Sequence, residues 1–215
     1  SDGSFRSIFS AEPERDEDIQ PDLQRLDLAV WGDPAYPWPE GLRAELAQGW
    51  WVFCRSEAVR AAISAHTAYP DALRQARLDE ALVRLDGHLA NGAPQRRWRS
   101  LGPLIAHDHL LAAYGHLVQA LFAYNRRWRP WRDREMAAVL ALPWLPDGFA
   151  ERAATALCPP SAGQEGFVAR AEALQALFAS LLARLVADGL YGDDPVGEAF
   201  IRSHDEPGRA WNIAA

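Results

Sequence analysis

From Leu42 onward the apolar residues fall at helical spacing. Leu42, Leu46, Trp50, Phe53 and Cys54 recur every three to four positions, and Val59, Ala62 and Ile63 follow. That period places them on one helical face. Residues 71–89 open on Asp71, a plausible cap, and align Leu78, Leu82, Leu85 and Leu89. "GAP" at 92–94 interrupts the pattern. Leu104, Ile105, Leu111, Tyr114, Leu117, Val118, Leu121 and Phe122 then predict a long helix to about Arg127, which Pro130 prevents from continuing. Shorter helices are predicted over 134–142 and 149–157. The most strongly amphipathic stretch, 166–190, stops at Gly189.

The residues ahead of this region follow a different pattern. "SFRSIF" (4–9) and "RLDLAVW" (25–31) are rich in β-branched and aromatic residues, separated by a polar acidic stretch with two prolines. They read as two strands joined by a long loop, and two strands alone are not a stable sheet. A Pro/Gly-rich linker, 32–41, follows. The expected architecture is therefore mainly α: a bundle of five to seven helices over 34–190, preceded by a two-strand remnant of an α/β domain over 1–33. An irregular tail is expected over 191–215.

Composition narrows the classes. The 215 residues are 49% hydrophobic and 24% charged, as in a soluble globular protein. The net charge of −7 argues against bulk attraction to nucleic acid or anionic membranes, but leaves room for a local basic patch. The chain has no lysine, so a Schiff base or a P-loop lysine is excluded within it. Cys54 and Cys158 match no metal or redox spacing and read as free thiols in a reducing compartment. No run of eighteen apolar residues occurs and no signal stretch opens the chain, so a cytoplasmic location without a membrane is expected. The chain opens on Ser and holds a single methionine, Met136, which leads to the expectation that sequence is missing upstream.

Candidate chemistry is sparse. Asp27 stands in the middle of an apolar strand pattern, either facing solvent on an edge or buried and needing a partner or metal. Gly3-Ser4 followed by Asp16 and Asp18 matches a nucleotidyl-transfer signature only loosely, because the acids lie on a polar stretch. His107, Asp108 and His109 do not share a helical face, and His109 and His116 lie two turns apart, so they read as structural. Arg60 and His66 match the loose spacing of RNA-cleaving helical nucleases. "NRRWRPWRDR" (125–134) packs five arginines and two tryptophans where the long helix ends. Cations are favourable at a helix C-terminus.

"SFRSIF…RLDLAVW" resembles the last strand pair of a nucleotidyltransferase domain of the DNA-polymerase-β superfamily, whose Leu-Asp-Leu strand supplies an active-site carboxylate. "LAQGWWVFCRSEAVRAAI", "ARLDEALVRL" and above all "LVQALFAYNRRWRPWRDREMAAVLALPWLP" are similar to the helical bundles that follow such domains in aminoglycoside-adenylyltransferase-like proteins. Arg132-Asp133 departs from the lysine often found there. The resemblance implies transfer of a nucleoside monophosphate from an NTP to a small-molecule acceptor, with Mg²⁺ ions held by carboxylates. Asp27 would be the catalytic and metal-binding acid, and Asn125, Arg126 and Arg127 would face substrate. The alternative is a non-enzymatic interaction module, such as a homodimer, resting on the apolar 166–190 helix and nine tryptophans. Direct nucleic-acid contact is not expected.

Overall fold

A computed structural model of the chain describes residue 25, residues 27–33 and residues 35–205. The chain divides into two compact units, Ser1–Tyr36 and Pro37–Ala215.

In the first unit the expected strand over 25–31 is not formed. Residues Leu28–Trp31 make a single helical turn, α1. Asp27 is the cause. Its Oδ1 accepts the Ala29 N–H at 2.9 Å, and its carbonyl accepts the Trp31 N–H at 2.8 Å. Aspartate bonded to backbone two residues on bends the chain into a turn instead of offering it to a ladder. The other expected strand, 4–9, lies outside the described residues. Among the described residues there is no β-strand, so the two-strand remnant is corrected: the described residues are all-α.

The second unit holds nine helices among the described residues: α2 (Glu40–Gln48), α3 (Glu57–Thr67), α4 (Asp71–Leu89), α5 (Ala93–Leu101), α6 (Pro103–Tyr124), α7 (Arg132–Leu140), α8 (Phe149–Leu157), α9 (Gln164–Ala187) and α10 (Pro195–Asp205). The excess over five to seven has local causes. The 42–54 pattern breaks at Gly49, whose extended backbone (ψ 160°) stops α2. Trp50, Val52 and Phe53 are then 82%, 80% and 71% exposed in irregular chain, and Ser56 caps α3 by accepting the Val59 N–H. Asp71 is the first residue of α4 rather than its cap. α6 and α10 both begin on proline, whose fixed φ suits a first helical position.

The core forms where α4 lies along α6, with α10 on α4, α5 and α9 on α6, and α8 on α9. Leu78, Leu82, Leu85 and Leu89 of α4 are all buried, as their spacing predicts. They meet Leu110, Tyr114, Leu117, Leu121 and Phe122 of α6 and Phe167, Leu174, Leu177 and Leu181 of α9 in one cluster. Each fully buried side chain of this size contributes about 1.5–3 kcal/mol. Leu104, Ile105 and Leu111, which belong to the apolar pattern that predicts α6, are exposed. α9 is long and apolar enough to cross a membrane by length and composition, but half of that stretch is buried inside the bundle.

The tail expected to be irregular carries α10, held by a buried polar junction. Asp79 on α4 is 2% exposed and receives Arg202 Nη2 at 3.0 Å and Nε at 3.1 Å. It also accepts the Tyr191 hydroxyl at 2.8 Å and Gln75 Nε2 at 3.1 Å. The Asp79 hydrogen bond, with its charge, holds the Arg202 guanidinium above its usual range. Burial, then Asp79, pushes the Tyr191 phenol up. Val196 and Ala199 pack α10 on the core beside this junction.

Candidate functional site

The segment 125–135 is built by the end of α6. Asn125 closes the helix: its Nδ2 donates to the Leu121 and Trp144 carbonyls at 2.8 and 3.0 Å, and its Oδ1 accepts the Trp144 N–H at 2.9 Å. All its polar groups are therefore committed to structure. Arg126 follows in the left-handed region at φ 55°, with Arg126 N–H bonded to the Ala123 carbonyl and Arg127 N–H to the Phe122 carbonyl. The same two bonds end α9, where Gly189 (φ 68°) occupies the left-handed position. Glycine is the usual residue in this motif; here an arginine takes it, at a conformational cost of about 1 kcal/mol.

Trp128 anchors the turn. It is buried, donates Nε1–H to the Thr67 carbonyl at 2.7 Å, and packs against Tyr69 with ring centroids 4.7 Å apart. Arg43 and Arg77 lie over its ring at 4.9 and 5.4 Å. Glu40 gathers this cluster by accepting from Nη1 and Nη2 of Arg77 and accepting the Arg129 N–H at 2.9 Å. Burial, then the Arg77 charge, lowers the Arg43 pKa, and burial raises that of Tyr69. Farther on, Glu135 is buried and pairs with Arg129 and Arg132, while Arg134 reaches Glu45 at 2.7 Å. Three of the five arginines are thus spent on carboxylates that fix the turn and α7.

Arg126 and Arg127 remain. Both are exposed, and they line a cleft of about 370 Å³ together with Gln48, Ser64, Thr67, Tyr69 and Trp128. Arg126 meets Asp71 at 2.5 Å, an exposed pair. Arg127 has no side-chain hydrogen bond or ion pair among the described residues. Two exposed guanidinium groups at one cleft favour an anionic ligand. Sequence reasoning named the two arginines. It missed Ser64, Thr67 and Tyr69, which lie about sixty positions away and carry no local signal. The Thr67–Trp128 contact brings them together.

The other candidates are dispersed. Asp27 is exposed, one of its oxygens bonds Ala29, and it belongs to the first unit. Among the described residues no group of three or more His, Cys, Asp or Glu is arranged to hold a metal ion. Mg²⁺ in nucleotidyl transfer needs several oxygen ligands in octahedral order. One half-engaged carboxylate does not meet that need. His66 is buried and stacked on Trp38 at 4.3 Å, and Arg60 lies over Trp51 and beside Glu57. The two do not form a nuclease pair. His88 of α4 stands between His109 and His116 of α6, with ring centroids 5.3 and 5.8 Å away. Burial, then the Arg97 charge, pushes the His88 pKa down to about 4.

In its described residues the protein is thus an all-helical chain whose second unit carries a small cationic cleft. No protein-family model matches it, nor does any curated protein or solved structure.

Proposed function

We propose that residues 37–205 bind a phosphate-bearing small molecule in the cleft under Arg126 and Arg127. In this reading the helical unit is the substrate side of a nucleotidyl transfer from an NTP to a small acceptor. The observation that carries it is Arg127, an arginine without a partner among the described residues, beside an arginine held where glycine is conformationally cheaper. Backbone strain of this kind clusters at ligand clamps. The "NRRWRP" resemblance supports the same reading. Tyr69 would border the ligand, and the Ser64 hydroxyl would orient its polar edge.

Isothermal titration with each of the four NTPs, with and without Mg²⁺, tests it. Binding of at least one is expected, weakened about tenfold or more in Arg127→Ala at unchanged melting temperature, since charge-assisted bonds contribute about 1.5–3 kcal/mol. Absence of binding by every NTP and by inorganic pyrophosphate overturns it.

A second reading, an interaction module that pairs with its own copy, is favoured by the apolar stretch Trp50–Phe53. Trp50, the first of these residues, lines a groove of about 660 Å³ between α2 and α7. Light scattering that gives a monomer at every concentration removes this reading.

A further inference from the structure

We infer that the tip joining α5 to α6 is a docking surface for an anionic lipid bilayer, apart from the cleft and independent of its ligand. α5 carries Arg96, Arg97 and Arg99 within four positions. Their side chains bond only carbonyls: Arg96 that of Asn91, Arg97 those of His88 and Gly87 at 2.9 and 2.7 Å, and Arg99 that of Gln95 at 3.3 Å. Among the described residues no carboxylate lies within ion-pair distance of any of the three. In a chain of net charge −7, where the arginines near Trp128 are matched to Glu40, Glu45 and Glu135, this is a local and uncompensated excess of positive charge.

The tip directly beyond is apolar. Leu101 ends α5, Gly102 turns the chain at φ 85°, and Pro103, Leu104 and Ile105 begin α6. Leu101, Leu104 and Ile105 are 48%, 85% and 47% exposed, and Leu111 further along α6 is 44% exposed. Asp108 is the acidic residue among them. Exposed leucines at a helix junction, backed by arginines free of carboxylates, match a bilayer surface. The apolar side chains enter the acyl boundary and the guanidinium groups meet lipid phosphates. A nucleic acid would use the arginines but leave the leucines without a role, so the charge and apolar surface together select lipid.

Vesicle flotation with the full chain tests this. The protein is expected to float with phosphatidylcholine vesicles that contain phosphatidylserine, weakly with phosphatidylcholine alone, and not at high salt. Arg96→Gln with Arg99→Gln, both at exposed positions, should lower partitioning about twenty-five-fold, from about fivefold per arginine near an anionic surface. Leu104→Ser should lower it about tenfold. Circular dichroism checks that each variant keeps its fold, and Arg127→Ala should float like the parent. The inference is overturned by absence of flotation on either vesicle, by equal flotation on both that ignores the arginines, by preference for an RNA or DNA oligonucleotide, or by flotation that Trp50→Ser abolishes and Leu104→Ser leaves intact.

Discussion

Removing Arg202 exposes the balance of forces in the α4–α10 junction. Asp79 is the buried partner, 2% exposed, while the Arg202 side chain is 38% exposed and keeps a second contact to Glu198 at 3.3 Å. The two ends of the pair are therefore unequal. Arg202→Leu leaves a buried carboxylate with only Tyr191 and Gln75 as donors. Breaking a buried pair from one side costs about 3–5 kcal/mol, and the two surviving donors set the expectation at the lower end, about 3 kcal/mol. Asp79→Asn leaves the arginine able to turn toward water and Glu198, and retains an oxygen for the Tyr191 hydroxyl. Its cost should be smaller, about 1–2 kcal/mol.

The double variant is the decisive one, because the neutral amide no longer demands a cation. It should be about 1 kcal/mol more stable than Arg202→Leu alone, a coupling that adjacent charged groups show. Urea unfolding followed by far-UV circular dichroism gives the energies. Hydrogen exchange shows whether α10 opens before α4. Additive single variants, or an Arg202→Leu cost below about 0.5 kcal/mol, the range of ordinary surface substitutions, would refute the argument that this junction holds α10.

Three further expectations follow from the same structure. His88 is half-buried with a folded pKa of about 4, below the unfolded value of 6.5. As pH falls through that window the unfolded chain binds the proton first, so stability declines, by about 1–2 kcal/mol after solvent screening; His88→Gln should flatten the pH–melting-temperature curve between those limits, and an unchanged slope counts against it. At Gly166, buried in the first turn of α9, a Cβ would meet the Ser161 backbone carbonyl. Gly166→Ala should therefore lose about 1–3 kcal/mol in thermal unfolding despite its higher helix propensity, and a gain contradicts the packing. Arg126→Gly should relax the left-handed position and gain about 0.5–1 kcal/mol of stability while NTP affinity drops in titration; loss of both would make Arg126 a purely structural residue.

The parts of the fold that were legible in the sequence are those in which one apolar face decides the outcome. Leu78, Leu82, Leu85 and Leu89 have a single way to be buried together, and α4 spans the predicted 71–89. The errors arise where local hydrogen bonding competes with pattern. Asp27 in "RLDLAVW" has strand-forming neighbours, yet one side-chain bond to Ala29 makes the turn cheaper than an unpaired strand. Leu42 to Cys54 keeps a helical period across Gly49, but period alone does not show that nothing covers Trp50, Val52 and Phe53. α10 went unseen because its apolar face is only Val196 and Ala199 in an eleven-residue helix, and its polar anchor, Arg202 on Asp79, is a contact across 123 positions.

The "NRRWRPWRDR" segment joins both cases. Its charge density drew attention to it, yet charge density alone does not separate one arginine from the next. The carboxylates do: Glu40, Glu45 and Glu135 come from α2 and α7 to bind the backbone or side chains of Arg129, Arg132 and Arg134, and so remove these from the surface available to a ligand. Arg126 pairs with one exposed acid, whereas Arg127 is held only through its backbone N–H and its side chain meets no acid among the described residues. An arginine kept without a partner beside Ser64, Thr67 and Tyr69 gains most from an incoming anion, because no internal pair has to break first. This ordering makes Arg127, more than its four neighbours, the residue whose loss should separate binding from stability.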